Sequence, residues 1–326
     1  MAPLETVNGV DEVETALVTL YKAMIKIDPS MGSADGTKTE DGSSDQAIDF
    51  NGDYAKMRVV QEKRQMYMQE SAMFMQRLVD FMAKQFNVAN DEVRRALKGA
   101  LNKKIDPHNH DIGRDMLWKY DPLMLYTRDA DLEVWNRLIQ IYQDAAHPTY
   151  KMEFRDALDS WKRNARKPTG EEALLFSSQE EKKEEGLATA ARKLTVKRSQ
   201  TLARIRSPLG EGQNKPANSS AVDLSRSSPY EIFASVLDDV LPLVEMEQNF
   251  VIDFFHATTL EQIDFPDAVA AISPGARRGN DLKRHRLMEP DRDLARRVTR
   301  SMEVIFPFLE KDLSNMVDWV LVQSPL

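Results

Sequence analysis

The sequence predicts an all-α protein, an elongated rod of stacked helical bundles with long amphipathic helices and one disordered insert. Three observations support this fold class. Apolar residues recur at three- and four-residue spacing in several separate segments. The interval from about Asp53 to Phe86 contains neither proline nor glycine. No two runs of alternating β-branched residues are joined by the Asn-Gly or Asp-Gly turns that mark hairpins.

Residues 1–28 are predicted to form a coiled-coil-like helix. Its apolar residues alternate steps of three and four, the pattern that keeps one seam against a partner helix. A helix of this length needs packing for stability, so it is assigned to a bundle. Pro29 ends it, and residues 29–47 are predicted to be a flexible linker rich in glycine and serine. The seam consists of Val10, Val13, Leu17, Leu20, Met24 and Ile27.

Residues 48–165 are predicted to form a helical bundle. Its first helix runs from about Asp53 to Phe86, which corresponds to roughly 50 Å at 1.5 Å per residue. Asn90 is predicted to cap a separate short helix that ends near Leu101. The bundle therefore begins with one very long helix and one short one.

The second half of this bundle follows a predicted loop, which Pro107 and Gly113 bracket. Apolar residues at helical spacing indicate one helix before Pro148 and another after it. The residues that indicate them are Trp135, Leu138, Ile139 and Tyr142, then Phe154, Leu158 and Trp161.

Residues 166–227 are predicted to be a disordered linker with a basic tract. Acidic residues precede the tract, and glycine, proline and serine follow it, a composition that disfavours a packed core. The alternative is a transient basic amphipathic helix that contacts anionic lipid or an acidic partner. Its apolar residues would be Leu187, Leu194, Leu202 and Ile205. The candidate partner or lipid contacts are Arg192, Lys193, Lys197, Arg198, Arg204 and Arg206.

Phosphorylation is the regulatory chemistry that this linker favours. Ser207 precedes a proline, and Ser199 and Thr201 lie among basic residues. A phosphate at any of the three would neutralise part of the basic tract. They are therefore candidate phosphorylation sites, with unmodified linker residues as the alternative.

Residues 228–326 are predicted to form a helical hairpin of the next bundle. Ser228, Pro229 and Glu231 form a capping box with proline at the first helical position. Pro242 and Pro307 lie inside helical patterns, and each is predicted to kink one continuous helix. The two apolar stripes comprise Phe233, Val236, Leu237, Val240, Leu241 and Val244, then Val298, Ile305, Leu309, Leu313, Met316 and Val320.

No catalytic site is predicted, and the chain is interpreted as a non-enzymatic protein without a cofactor or metal. Asp106, His108, His110 and Asp111 lie close together in the manner of zinc ligands. Without cysteine or a His-Glu-x-x-His motif, a polar interhelical loop is the favoured interpretation. A metal-dependent hydrolase using the two histidines is the alternative from another class. His256, at a helix end, is assigned a structural role beside the helix dipole.

Six aromatic residues are candidate packing or interface anchors. Burial in the core is the default for a large ring, and an interface hot spot is the alternative. At least one of the tryptophans is expected to contact a partner. The six are Trp135, Trp161, Phe250, Phe254, Phe255 and Trp319.

Composition disfavours several other classes of protein. A formal net charge of -8 argues against nucleic acid as the main partner. The absence of cysteine argues against a disulfide framework and favours a cytoplasmic location. No apolar run approaches the roughly 18 residues of a membrane-spanning helix. Charged residues also interrupt the N-terminal apolar stretch, where a signal peptide would be uninterrupted.

Two stretches resemble a known family. Residues 247–256 read EQNFVIDFFH, and residues 289–321 read EPDRDLARRVTRSMEVIFPFLEKDLSNMVDWVL. Both are similar to the C-terminal helical region of exocyst complex component one, the exocyst subunit called Sec-three in fungi. Less distinctive similarity at residues 20–29 and 191–210 extends the resemblance over most of the chain.

The resemblance implies a non-enzymatic subunit of the eight-subunit exocyst, a helical scaffold that tethers secretory vesicles to the plasma membrane before fusion. It implies other exocyst subunits as partners and a cytoplasmic protein with indirect, peripheral plasma-membrane association at sites of polarised secretion. The family's N-terminal domain for phosphoinositides and Rho GTPases has no counterpart in this sequence. Direct lipid or Rho GTPase binding is therefore not implied, and the chain is expected to be a fragment. The alternative is a stand-alone helical adaptor that binds membrane or regulatory partners through its basic insert.

Overall fold

The computed structural model describes residues 2–27, 57–99, 105–165, 228–257, 263–279 and 292–323. Within these ranges every regular element is an α-helix or a 3-10 helix, so the all-α prediction is confirmed. The chain divides into two compact units, residues 1–160 with 236–311 and residues 161–235 with 312–326. The predicted linker 29–47 and the predicted insert 166–227 lie outside the described residues. The boundaries of the predicted segments stay predictions.

The first helix, α1 (Val7–Ile27), buries its apolar seam in the first unit. Thr6 caps its start, because the Thr6 hydroxyl accepts a hydrogen bond from the Gly9 N–H at 3.1 Å. Of the predicted seam, all but Leu20 and Ile27 are buried, and Tyr21 is buried beside them. The helix packs against the long helix that follows.

That following helix, α2 (Arg58–Gly99), is one uninterrupted helix of 42 residues, where the sequence predicted two. Asn90 lies inside it and caps nothing. Its side-chain amide instead donates to the carbonyl of Phe86, four residues earlier, at 3.0 Å. A polar side chain that is satisfied by its own helix requires no break, which explains the wrong prediction. At 1.5 Å per residue the helix is roughly 63 Å long.

The predicted loop between Pro107 and Gly113 is helical instead. Asp106 caps this region, because its carboxylate accepts from the His108 N–H at 3.0 Å. Gly113 permits a close approach to α2, since a Cβ there would lie 2.7 Å from Val93 Cγ2. The loop prediction treated this glycine as a breaker, whereas helix packing requires it. The elements are a 3-10 helix (Pro107–His110), α3 (Asp111–Leu117), a second 3-10 helix (Trp118–Tyr120) and α4 (Asp121–Ala130).

The helix α5 (Leu132–Asn164) passes through Pro148 without a break, so the prediction of two helices there is wrong. Asp131 caps its start by accepting from the N–H groups of Glu133 and Val134 at 3.0 and 3.1 Å. Proline removes one intrahelical hydrogen bond, but Pro148 lies on the exposed face while the residues after it are buried. Packing of the buried face holds the helix together across the missing bond.

The helix α6 (Pro229–Phe254) is continuous through Pro242, so the prediction of a single helix there is confirmed. The predicted apolar stripe is only partly buried, and Leu241 is 66% exposed. The helix carries apolar residues on two faces, and the buried face is the one that leads to Phe250. Its buried apolar residues include Ile232, Val236, Val240, Leu243, Met246 and Phe250.

Pro307 separates two helices, so the prediction of one kinked helix is wrong there. α8 (Arg292–Ile305) ends before it, and α9 (Phe308–Gln323) begins directly after it. Proline cannot donate to a carbonyl four residues earlier, whereas the start of a helix needs no such donor. The Phe306 carbonyl accepts from the Leu309 N–H at 3.1 Å and starts the new helix. Before α8 the structure also describes α7 (Phe265–Ala271) and a 3-10 helix (Pro274–Ala276).

The second unit contains the beginning of α6. The Ser228 N–H donates to Glu231 Oε2 at 2.8 Å, the reciprocal half of the predicted capping box, and the helix starts at the next residue as predicted. Elsewhere in this unit Trp161 and Trp319 are half-buried. Lys162 Nζ lies 5.9 Å from the centre of the Trp319 ring, which is a cation–π distance.

Among the residues described, no helix is both long enough and apolar enough to span a bilayer.

Candidate functional site

Glu247 on α6 is the centre of a buried polar network in the first unit. Its side chain is 0% exposed. Oε1 accepts from the Tyr142 hydroxyl at 2.5 Å, and Oε2 accepts from the Tyr150 hydroxyl and, at 3.1 Å, from Arg114 Nη2. Three donors from α3 and α5 therefore converge on one carboxylate. Such charge-assisted bonds are strong in a dry interior and fix the three helices together.

Arg114 supplies the compensating charge and is 4% exposed. Nη1 donates to the Pro107 carbonyl and to Asp111 Oδ1, both at 3.2 Å. Burial alone would lower the pKa of Arg114, but the adjacent Tyr150 and Glu247 oxygens outweigh burial and raise it. The guanidinium is thus a permanent cation at this centre.

The two tyrosines act as hydrogen-bond donors. Burial raises the pKa of Tyr142 and of Tyr150 well above the ordinary value, and the Glu247 carboxylate raises both further. Both hydroxyls consequently keep their protons near neutral pH. They can hold the glutamate in place, but they cannot act as phenolate nucleophiles or bases.

His110 and Glu153 extend the network on the far side of Tyr150. The His110 ring stacks on Tyr150 with centroids 4.3 Å apart, and its Nε2 lies 2.7 Å from Glu153 Oε2. Among the described residues, Glu153 Oε1 and Arg114 Nε have no hydrogen-bond partner. A cavity of about 20 Å³, lined in part by His110, Arg114 and Glu247, has room for about one water molecule.

This arrangement is suited to holding helices together. A cavity that admits one water is far smaller than the roughly 300 Å³ of the smallest usual ligand pockets. Within the described ranges no group of three or more metal-ligating side chains is assembled. The predicted zinc-like residues serve different partners: Asp106 caps a helix, His108 Nδ1 lies 2.7 Å from Asp111 Oδ2, and His110 is turned into the core.

The predicted aromatic anchors of α6 pack around this network. Phe250 and Phe254 stack with centroids 5.2 Å apart, and Trp118 meets Phe250 edge-on at 5.3 Å. The Phe255 carbonyl accepts from Trp135 Nε1 at 2.9 Å, and both of those rings are 0% exposed. Four of the six predicted anchors therefore lie in the core of the first unit, where aromatic pairs add to burial.

His256 lies two residues after the end of α6 and has a left-handed backbone, φ 50°. Its carbonyl accepts from Arg128 Nη1 at 2.9 Å. Its Nε2 lies 3.1 Å from Asp121 Oδ1, an ion-pair distance outside hydrogen-bond geometry. Burial alone would lower the pKa of His256, but the Asp121 carboxylate outweighs burial and raises it. The side chain thus has a structural contact with Asp121 near the end of α6, and the helix-dipole role stays a prediction.

A second buried ion pair joins α1 to the loop after the 3-10 helix Pro274–Ala276. Arg277 Nη1 and Nη2 each donate to one oxygen of Glu14 at 2.7 Å, and both residues are buried. Arg277 also donates to the carbonyls of Lys119 and Ile272. Burial raises the pKa of Glu14, and the fork of Arg277 opposes that rise. The arginine thus ties the N-terminal helix to distant parts of the chain.

Sequence reasoning missed these buried pairs and found only their apolar surroundings. No local sequence motif marks Arg114 or Arg277 as half of an ion pair, because their glutamate partners lie 133 and 263 residues away along the chain. The one local signal was Tyr142 and Tyr150 at eight-residue spacing on one face of α5. The predicted phosphorylation sites and basic contacts, Ser199, Thr201, Ser207, Arg192, Lys193, Lys197, Arg198, Arg204 and Arg206, lie outside the described residues.

Comparison with protein families gives a match to part of the chain. Residues 254–326 match the family described as exocyst complex component Sec3, C-terminal. The matched segment covers about a fifth of the chain and includes α7, α8 and α9. No curated protein and no solved structure gave a match. The family resemblance predicted from the sequence is confirmed over these residues.

Proposed function

We propose that this chain is a Sec3-type, non-enzymatic subunit of the exocyst, a helical scaffold that helps to tether secretory vesicles at the plasma membrane. The match of residues 254–326 to the Sec3 C-terminal family carries the proposal. An exocyst subunit of this family assembles with the other subunits.

The use of polar groups in the first unit supports a scaffold. Four buried charged side chains form two ion pairs, one between helices and one between a helix and a loop. The pairs are Glu247 with Arg114 and Glu14 with Arg277. A catalytic site keeps its reactive groups accessible to substrate and tunes them for proton transfer. Here both oxygens of Glu247 and both oxygens of Glu14 accept hydrogen bonds from buried donors of the chain itself, as stable helix packing requires.

The proposed location is the cytoplasm, with peripheral association at sites of polarised secretion. That association would be indirect, through the other exocyst subunits. Direct binding of lipid or of a Rho GTPase is not part of the proposal. The basic residues of segment 166–227 remain predicted contacts for a partner or for lipid.

Co-purification tests the proposal. A tagged chain, expressed in cells with native exocyst, is expected to recover the other exocyst subunits at about 0.15 M salt. The control is Trp135→Ala, which removes a fully buried anchor and is expected to lose both melting cooperativity and partners. Lys98→Gln, at an exposed position, is expected to retain both. Recovery of no exocyst subunit by the folded wild-type chain would contradict the proposal.

A further inference from the structure

One side of the N-terminal part of α2 carries a row of exposed apolar residues. Val59, Met66 and Met73 follow one another at seven-residue intervals and are 67%, 41% and 50% exposed. A seven-residue step changes the position around a straight helix by only about 20°, so the three side chains lie along one line. We call these three residues the α2 row. Heptad spacing is the spacing by which one helix presents a continuous seam to another helix.

The core of the first unit lies on another side of this helix. In the part of the chain that the structure describes, no residue between 61 and 70 is buried. The buried residues Val60 and Phe74 each directly follow a row residue, so they lie about 100° further around the helix. Single exposed apolar residues are ordinary on a protein surface. Three in heptad register form a strip that another helix can cover.

The charges beside the α2 row are arranged symmetrically about Met66. Lys63 lies three residues before Met66 and Glu70 four residues after it, and both are exposed. Because Lys63 and Glu70 are seven residues apart, they lie on the same flank of the row. At 1.5 Å per residue, their distances from Met66 along the helix axis are roughly 4.5 and 6 Å. A second α2 helix laid antiparallel across Met66 therefore brings Lys63 of each copy beside Glu70 of the other.

We propose that the α2 row docks on the α2 row of a second copy of this chain, with the two helices antiparallel. The two Met66 side chains then meet on the two-fold axis. Val59 of each copy lies beside Met73 of the other, since both are seven residues from Met66. A two-fold contact requires a surface that is complementary to itself, which the row and its charged flank provide. Methionine suits this surface, because its flexible side chain adapts to its neighbours.

The opposite flank of the row is compatible with the same pairing. Glu62 and Gln69 lie there, and the antiparallel arrangement brings Glu62 of each copy beside Gln69 of the other. The Gln69 amide can donate to that carboxylate, which Arg58 Nε also contacts at 2.8 Å. The paired region extends over roughly four helical turns. So short a contact is at the weak end of protein interfaces, and a dissociation constant of about 10 µM or higher is expected.

Sedimentation equilibrium of the purified full chain tests the pairing. A reversible equilibrium between monomer and dimer is expected over about 1–500 µM chain. Met66→Asp places two carboxylates on the two-fold axis and is expected to lower the association constant about tenfold or more. Val88→Asp is the matched control, because Val88 is an exposed apolar residue of the same helix outside the row, and it should leave the constant unchanged. A chain that stays monomeric throughout, or equal effects of the two substitutions, would overturn the proposal.

Charge exchange tests the antiparallel direction. Lys63→Glu and Glu70→Lys, made singly, should each lower the association constant about threefold or more, because each creates two contacts between like charges. The double variant should restore dimerisation, since it only exchanges the two charges. In a parallel pair Lys63 would lie beside Glu62 of the other copy, and the double variant would stay weakened. Circular dichroism checks that every variant keeps its helix content. Failure of the double variant to restore dimerisation would contradict the antiparallel pairing.

Disulfide cross-linking tests the register. The chain has no cysteine, so Val59→Cys and Met73→Cys can be introduced into separately tagged copies. A disulfide is expected between the two different variants, and about tenfold less between two copies of Val59→Cys. The reverse preference would exclude the proposed register. A monomeric wild-type chain in which Met66→Asp reduces recovery of exocyst subunits would mean that a different partner covers the row, which also contradicts the proposal. The pairing is measured on the purified chain, so its failure is distinguishable from failure of the proposed function.

Discussion

Removal of the charge of Glu247 should lower the free energy of unfolding more than most single substitutions in the first unit. Glu247→Gln keeps the shape of the side chain but leaves Arg114 as a buried cation without its carboxylate partner. Removal of one member of a buried pair costs about 3–5 kcal/mol of unfolding free energy. In the wild type Oε2 accepts hydrogen bonds from both Arg114 and Tyr150. An amide nitrogen at that position would be a donor that faces two other donors. The expected loss is therefore at the upper end of that range.

Urea unfolding followed by circular dichroism measures this loss. Glu245→Gln is the matched control, because it makes the same change two residues earlier at an exposed position, where about 0.5 kcal/mol or less is expected. Arg114→Met and the double variant complete a cycle, in which the pair should couple by about 2 kcal/mol or more. A loss below about 1 kcal/mol for Glu247→Gln, or equal losses for both glutamates, would refute a buried charge-compensated centre.

Three further predictions follow from local geometry. Gly279→Ala should lower the free energy of unfolding by about 1–3 kcal/mol, because its Cβ would lie 2.3 Å from a buried tryptophan nitrogen, whereas Gly99→Ala, with open space around it, should be neutral or stabilising in thermal melts. Pro148→Ala should raise the free energy of unfolding by about 1–3 kcal/mol, since it restores a hydrogen bond at an exposed helical position, and urea titration would contradict this by showing a loss. The pKa of His256 is raised in the folded chain, so the stabilisation from its pair with Asp121 is fully present below the unfolded pKa of 6.5 and is lost as pH rises through the folded pKa. The loss of unfolding free energy caused by His256→Asn should therefore be larger near pH 6 than near pH 9. Equal losses at the two pH values would count against the pair.

The helical spacing of apolar residues predicted most of the helices. Their boundaries were harder to predict, because a single asparagine or proline ends a helix in one place and not in another. The seam of α1 and the start of α6 directly after Ser228 follow from local chemistry, which the sequence displays. Asn90 and Pro148 looked like boundaries. α2 runs through Asn90, whose amide bonds to its own helix, and α5 runs through Pro148, where packing of the buried face outweighs a local cost of about 3 kcal/mol. Pro307 did divide two helices, whereas α6 runs through Pro242.

The candidate site was predictable only in its apolar part. Phe250, Phe254 and Phe255 stood out as large rings in a recognisable motif, and they are buried. The role of Glu247 in the same motif depends on Arg114, 133 residues away, so no window of local sequence reveals it. Pairing across such distances is decided by the packing of α3 against α5 and α6.

The most direct measurement of the central claim is the reciprocal purification. A different exocyst subunit is tagged in cells that contain this chain, and the complex is recovered at about 0.15 M salt and quantified by mass spectrometry. The account predicts that this chain is recovered in proportion to the other subunits. Recovery of the remaining subunits together, with this chain absent although it is expressed and folded, would contradict it.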